Sequence, residues 1–267
     1  MKKPSQQTLK KVIPAFLSGI IAITANAQKL PPIQQSSLSA PANIKIDGKP
    51  TEWHNQFQAY NKSNDIYYSI ANDKNNLYLI VQATDAHPIE KIISGGLTFT
   101  VKNADKKNKN AAASITFPLL SVSDRSSIAR KVKSTDETTP YNEAEVNKQF
   151  ATAAKEMDVR GIKEVTDTLL SVYNETGIKT GTSFDDKKVF TYELSIPLKY
   201  LQQCLGSDGK LSYNIRLNEM RVIPMASGTR GAIISVVNVR MGSKEMDDMQ
   251  DLHSSTDFSG EYILVKK

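Results

Sequence analysis

A single cysteine, Cys204, stands in a chain of 267 residues. One thiol closes no intramolecular disulfide, and cysteine-built zinc or iron–sulfur sites are excluded. Tryptophan is equally scarce, with Trp53 alone, and the three histidines, His54, His87 and His253, are scattered. The GxSxG elbow, HExxH, the phosphate-binding glycine loop and the dinucleotide fingerprint are all missing, so the common catalytic templates have no foothold. A haem module would need axial ligands; the histidines and methionines allow that chemistry without suggesting it.

Long apolar runs are absent after residue 27. Before it, Lys2, Lys3, Lys10 and Lys11 precede a 13-residue mostly apolar run, Val12 to Thr24, and Ala25-Asn26-Ala27 fits a small-x-small cleavage site. This pattern predicts a cleaved export leader over 1–27, because a membrane-spanning helix needs about 20 apolar residues. Gln28 follows the expected cut where a lipoprotein would carry cysteine, so the expected product is periplasmic or extracellular without a lipid anchor or membrane insertion.

Excess charge of one sign is also lacking. Removing the four leader lysines from 34 basic residues leaves 30 against 28 acidic ones. A nucleic-acid partner is therefore not expected, since such binders keep a basic patch or stripe. The lysine-rich stretch at 106–110 reads as a solvated hairpin tip, and the acidic run 245–251 as a solvated loop.

Strand signals fill most of the remainder. Residues 28–43, rich in Pro, Gln and Ser, read as a flexible lead-in, and one domain is expected over 44–267. "DIYYSIA" (65–71) and "LYLIVQATD" (77–85) suggest a hairpin across "NDKNN". In "LTFTVK" (97–102), Leu97, Phe99 and Val101 alternate with Thr98, Thr100 and Lys102, the period of a half-buried strand. "ASITFPLL" (113–120) is its expected partner. Phe190, Tyr192, Leu194 and Ile196 alternate in the same way, and further strands are expected over 211–223, 232–241 and 259–267.

One interruption is helical: Asn142 with Glu145 forms a capping pair, and Val146, Phe150 and Met157 recur at helical spacing, predicting a helix over about 143–157. About ten strands with one packed amphipathic helix predict an all-β, two-sheet antiparallel β-sandwich or jelly roll.

Four stretches in order, "IKIDGKPTEW" (44–53), "YYSIANDKNNLYLIVQATD" (67–85), "YELSIPLKYL" (192–201) and "DFSGEYILVKK" (257–267), resemble the family 9 carbohydrate-binding modules and their DOMON-like β-sandwich relatives. The resemblance implies a non-catalytic exported module that binds a glycan or another extracellular ligand. The alternative is a structural or protein-interaction module of a cell-envelope assembly without a small-molecule ligand. Sugar-binding members of the family grip their ligand between two tryptophans. With one tryptophan that clamp does not carry over, and Trp53 reads as an anchor of the first strand.

Tyrosines are candidate substitutes. Tyr60, Tyr67, Tyr68 and Tyr78 cluster in the first hairpin region, where a core role is the competing reading. In "YNIRLNEMRVI" (213–223), Arg216 and Asn218 share one face, while Glu219 and Arg221 extend the apolar one. These four are candidate sugar-binding groups, with a structural Glu219–Arg221 ion pair as the alternative. No cofactor is expected, except that Asp65, Asn72, Asp73 and Asp85 supply hard oxygen ligands for a structural calcium ion. Ordinary turn chemistry explains the same four residues.

Overall fold

The computed structural model describes residues 29–104, 111–134, 140–221 and 251–266. The leader, the lysine-rich tip at 106–110, the expected strand over 232–241 and most of the acidic run lie outside them. The elements in chain order are β1 (Ala59–Asn61), β2 (Ile66–Asn72), β3 (Asn76–Ala83), α1 (Ala86–Gly95), β4 (Leu97–Asn103) and β5 (Ala112–Phe117). Then come α2 (Val122–Lys133), α3 (Glu143–Ala153), β6 (Glu156–Arg160), β7 (Leu169–Ser171), β8 (Lys179–Phe184) and β9 (Phe190–Pro197). A 3-10 helix over Leu198–Cys204 leads to β10 (Lys210–Leu217), and β11 (Thr256–Ile263) closes the order.

The strands form two antiparallel sheets. Sheet A has the order β1-β2-β3-β9-β8 and sheet B the order β11-β10-β4-β5-β6-β7. The predicted β-sandwich is therefore the observed one. Side chains of alternate positions meet between the sheets: Tyr68 and Leu79 from A face Phe99, Ile115 and Tyr213 from B, all buried. Rings interlock there, with Phe117 stacked 6.1 Å from Tyr192 and Tyr68 set edge-on 6.2 Å from Tyr213.

The helical content departs from the expectation of one helix. Among the described residues three α-helices form, and the expected helix over about 143–157 ends at Ala153. Its start is as predicted: the Asn142 side chain accepts the Glu145 amide at 3.1 Å. Met157 belongs to β6, where it alternates with Val159 as a buried strand residue. Its helical spacing from Phe150 is coincidental. Phe150 packs 5.8 Å from Phe184 and 5.6 Å from Phe190, so α3 docks against the β8–β9 end of sheet A.

The expected flexible lead-in is also corrected, because residues 29–43 include a segment packed along β2 beyond its short pairing with β1. There the Gln34 side chain acts as a surrogate peptide group: its amide nitrogen donates to Ile70 O at 2.8 Å, and its oxygen accepts Ile70 N at 2.7 Å. One step on, Asn72 N donates to Leu38 O and Ala40 N to Asn72 O. The opposite edge carries the same device, with the Asn147 amide bonded to both the N–H and the C=O of Phe184. Unpaired strand edges invite association, and both clasps blunt them.

Gln34 is only 5% exposed. Gln34→Ala is therefore expected to leave two buried backbone groups unsatisfied and to lower unfolding free energy by about 2 kcal/mol in urea titration.

Candidate ligand-binding face

The two outer sheet faces differ in kind. That of sheet A is sealed by the chain between Leu38 and Gln58. Trp53 lies there, 4% exposed, in a second apolar cluster with Ala71, Tyr78 and Ile80. Its indole N–H donates to Glu193 Oε1 at 2.8 Å, while Asp47 N and Gly48 N donate to Oε2 at 3.0 and 2.8 Å.

The Asp-Gly turn fits because Gly48 has φ +81°, and a β-carbon there would strike the Thr182–Ser183 backbone. Burial raises the Glu193 carboxyl to about 7 against the opposing effect of its three N–H donors, and the Asp47 charge adds to the rise. Both carboxylate oxygens are occupied, so Glu193 holds the turn and the indole in place. Trp53 is thus an anchor, although "IKI" before it forms no sheet strand.

The outer face of sheet B is open among the described residues. Strand register places Asp257, Arg216, Thr98, Thr116 and Asp158 in one row across five strands. Ser259, Asn214, Thr100, Ser114 and Arg160 form the next row. Hydroxyl, amide, carboxylate and guanidinium groups alternate, and no aromatic residue projects from either row.

One end deepens into a groove of 660 Å³, floored by Thr98, Ser114 and Thr116 and walled by Glu219, Met220 and Arg221. At its end Arg160 grips Asp158 through two bonds of 2.8 Å. The wall approaches closely because residue 95 is glycine: a β-carbon there would lie 2.3 Å from Glu219 O.

The candidate residues separate accordingly. Arg216, Asn218, Glu219 and Arg221 all lie on or beside this face, but Asn218 is committed to the fold. Its amide donates to Gly95 O, Gly96 O and Thr98 Oγ1 at 2.9–3.2 Å. β10 ends at Leu217, so Glu219 and Arg221 sit exposed beyond it instead of extending its apolar face. Among the described residues no ion pair joins them. Arg216 stands exposed, 4.0 Å from Asp257.

The tyrosines are elsewhere. Tyr68 is fully buried between the sheets, its hydroxyl 2.9 Å from that of Tyr213, and Tyr78 is buried under the Trp53 cluster. Neither offers a ring face for stacking, which corrects their candidacy. Tyr67 is half-buried at the rim of sheet A's outer face, 4.7 Å from Tyr60 and 5.8 Å from Phe57.

The four calcium candidates do not converge. Asp65 and Asp85 flank one end of the β2–β3 hairpin, while Asn72 and Asp73 lie at the other, about 20 Å away for seven strand residues. Each has local partners. Asp65 accepts the Tyr60 hydroxyl, Asp73 accepts the amides of Asn75 and Asn76 at 2.7 Å, Asn72 binds Val265 N at 2.8 Å, and Asp85 binds the Thr84 hydroxyl at 3.1 Å. Turn chemistry accounts for Asp73. Among the described residues no three His, Cys, Asp or Glu side chains are grouped to hold a metal.

Sequence reading missed Ser114, Thr116, Asp158 and Arg160. Their outward alternation along β5 and β6 was the available signal; which residues become neighbours depends on register across strands far apart in sequence. Comparison of the chain with protein-family models, curated proteins and solved structures finds no match in any of the three.

Proposed function

We propose that the protein is a non-catalytic, exported binding module that presents the outer face of sheet B to a glycan or a similarly polyhydroxylated extracellular ligand. The observation that carries this reading is the asymmetry of the sandwich. One outer face is sealed by the chain's own N-terminal segment, while the other displays, among the described residues, two rows of polar side chains and a groove of 660 Å³. Rows of donors and acceptors match the hydroxyl groups of a sugar chain, each of which both gives and accepts hydrogen bonds. Recognition would rest on these bonds, since no ring stands in the two described rows. The four-part sequence resemblance supports the same reading. No helix among the described residues is long and apolar enough to cross a membrane.

Affinity electrophoresis against plant and microbial polysaccharides tests the proposal, with Ser114→Trp as the blocking variant. Ser114 faces the groove from β5, and an aromatic side chain suits an antiparallel strand. The expected result is retardation by at least one polysaccharide, lost in Ser114→Trp at unchanged melting temperature. Free migration across the whole panel would reject glycan binding and favour the protein-interaction alternative.

A further inference from the structure

Beside the groove lies a guanidinium group with hydrogen bonds but, among the described residues, no counter-charge. Arg125, on α2, is 6% exposed. Its Nη1 donates to Ser94 O at 2.7 Å and to Arg221 O at 2.9 Å, and its Nε to Ser121 O at 3.4 Å. Arg221 N also donates to Ser94 O, at 3.3 Å, so the two arginines converge on one carbonyl. Among the described residues neither forms an ion pair with a carboxylate. Burial, and then the charge of Arg221, lower the pKa of Arg125. Carbonyl oxygens accept from Nη1 and Nε, but they do not neutralise the cation, and an uncompensated buried charge is costly.

We propose that this corner is an anion subsite, and that the glycan bound on sheet B is acidic, with a ring carboxylate or sulfate ester seated beside Arg221 and over Arg125. The inference rests on the glycan-binding reading of the same groove and adds the chemical class of its ligand. Arg221 is exposed and lines the groove, so it supplies the direct contact. Arg125 supplies a fixed positive field from beneath, screened little because it is buried. Arg160 is a weaker anchor because Asp158 already neutralises it. Glu219, on the same wall, is exposed and repels an anion from its own side, which leaves the Arg221 end of the wall as the place for the charged group.

The test compares charged polysaccharides with their neutral counterparts: polygalacturonate with its methyl ester, and a sulfated galactan with its desulfated form. Titration calorimetry of the full chain in about 0.15 M salt limits non-specific attraction. The expected result is that the charged member of one pair binds about tenfold more tightly than its neutral twin, the scale of one charge-assisted contact. The pair that shows the preference distinguishes carboxylate from sulfate. Arg221→Gln, at an exposed position, is expected to remove that preference, bringing the charged member down to the affinity of its neutral twin.

Equal binding of charged and neutral twins, released by Ser114→Trp, would overturn the anion subsite while leaving glycan binding intact. A charged preference that survives Arg221→Gln would overturn it as well. Absence of binding by all four polymers and by the wider panel would reject the underlying glycan reading.

Discussion

Trp53→Ala is expected to lower the free energy of unfolding by about 3–5 kcal/mol, the usual cost of deleting a large buried aromatic. Two effects combine. The indole fills the space between the Leu38–Phe57 segment and the outer face of sheet A, so its loss leaves a cavity over Ala71, Tyr78 and Ile80. Its N–H is also one of the three donors that hold the Glu193 carboxylate, and removal leaves Oε1 without a partner in a buried setting. Trp53→Phe separates these contributions, retaining much of the volume but losing the N–H, and should cost about 1–3 kcal/mol. Denaturant titration of both variants measures the effects. The ligand binding proposed for sheet B should survive in Trp53→Phe at temperatures where it remains folded, because the indole lies on the opposite sheet. A Trp53→Ala protein with unchanged melting but lost binding would reverse the assignment of the indole as an anchor.

The sandwich was legible because period-2 alternation is a local property. Leu97, Phe99 and Val101 face inward on β4, as do Tyr213, Ile215 and Leu217 on β10, and each set can be read from a few consecutive residues. On β9 the same reading reached only half of the result. Phe190, Tyr192, Leu194 and Ile196 face the core as predicted, yet Thr191, Glu193 and Ser195 are buried too. The segment that covers them has no periodicity, and its bonds span great separations, from Gly48 to Glu193 and from Gln34 to Ile70. A Pro- and Gln-rich stretch is read as flexible on composition, and composition does not reveal that one amide can close a sheet edge.

The candidate face divides along the same line. Thr98 and Thr100 are identifiable as the outward set of β4 from alternation alone, whereas their neighbours Thr116 and Asp158 come from strands up to 60 residues away. Register between strands is set by long-range packing, which a single sequence does not display. Asn218 marks another limit. A polar residue at a strand end suits a ligand, but the close approach of Gly95 and Gly96 turns its amide towards their carbonyls. The calcium candidates failed for a related reason: Asn and Asp gather at the two ends of a hairpin because turns require them, and a seven-residue strand keeps those ends apart.

The buried carboxyl of Glu193 should make stability fall as pH rises from about 4.5 to about 7. Its pKa is raised by burial from 4.5 to about 7 in the folded protein, so across that interval the folded state holds a proton that the unfolded chain has released. Stability falls with pH wherever the folded state binds more protons. The favourable contribution is complete below the unfolded value and lost once pH passes the folded one. The full change is about 3 kcal/mol, since each tenfold gain in proton affinity on folding corresponds to about 1.4 kcal/mol. Another group acts elsewhere: Asp251, whose carboxylate accepts His87 and Lys91, has a lowered pKa that acts at more acidic pH. The difference between the native chain and Glu193→Gln isolates the one carboxyl. The glutamine oxygen can still accept from Trp53 or from the turn, but its NH₂ group faces the remaining N–H donors, so the variant should be less stable than the native chain at pH 5. By pH 8 the native chain has lost its Glu193 contribution while the variant has not, and the gap should narrow or reverse. Urea unfolding of both proteins at half-unit steps from pH 5 to 8 measures that gap, and a gap that stays constant would show that the clasp keeps Glu193 ionised throughout.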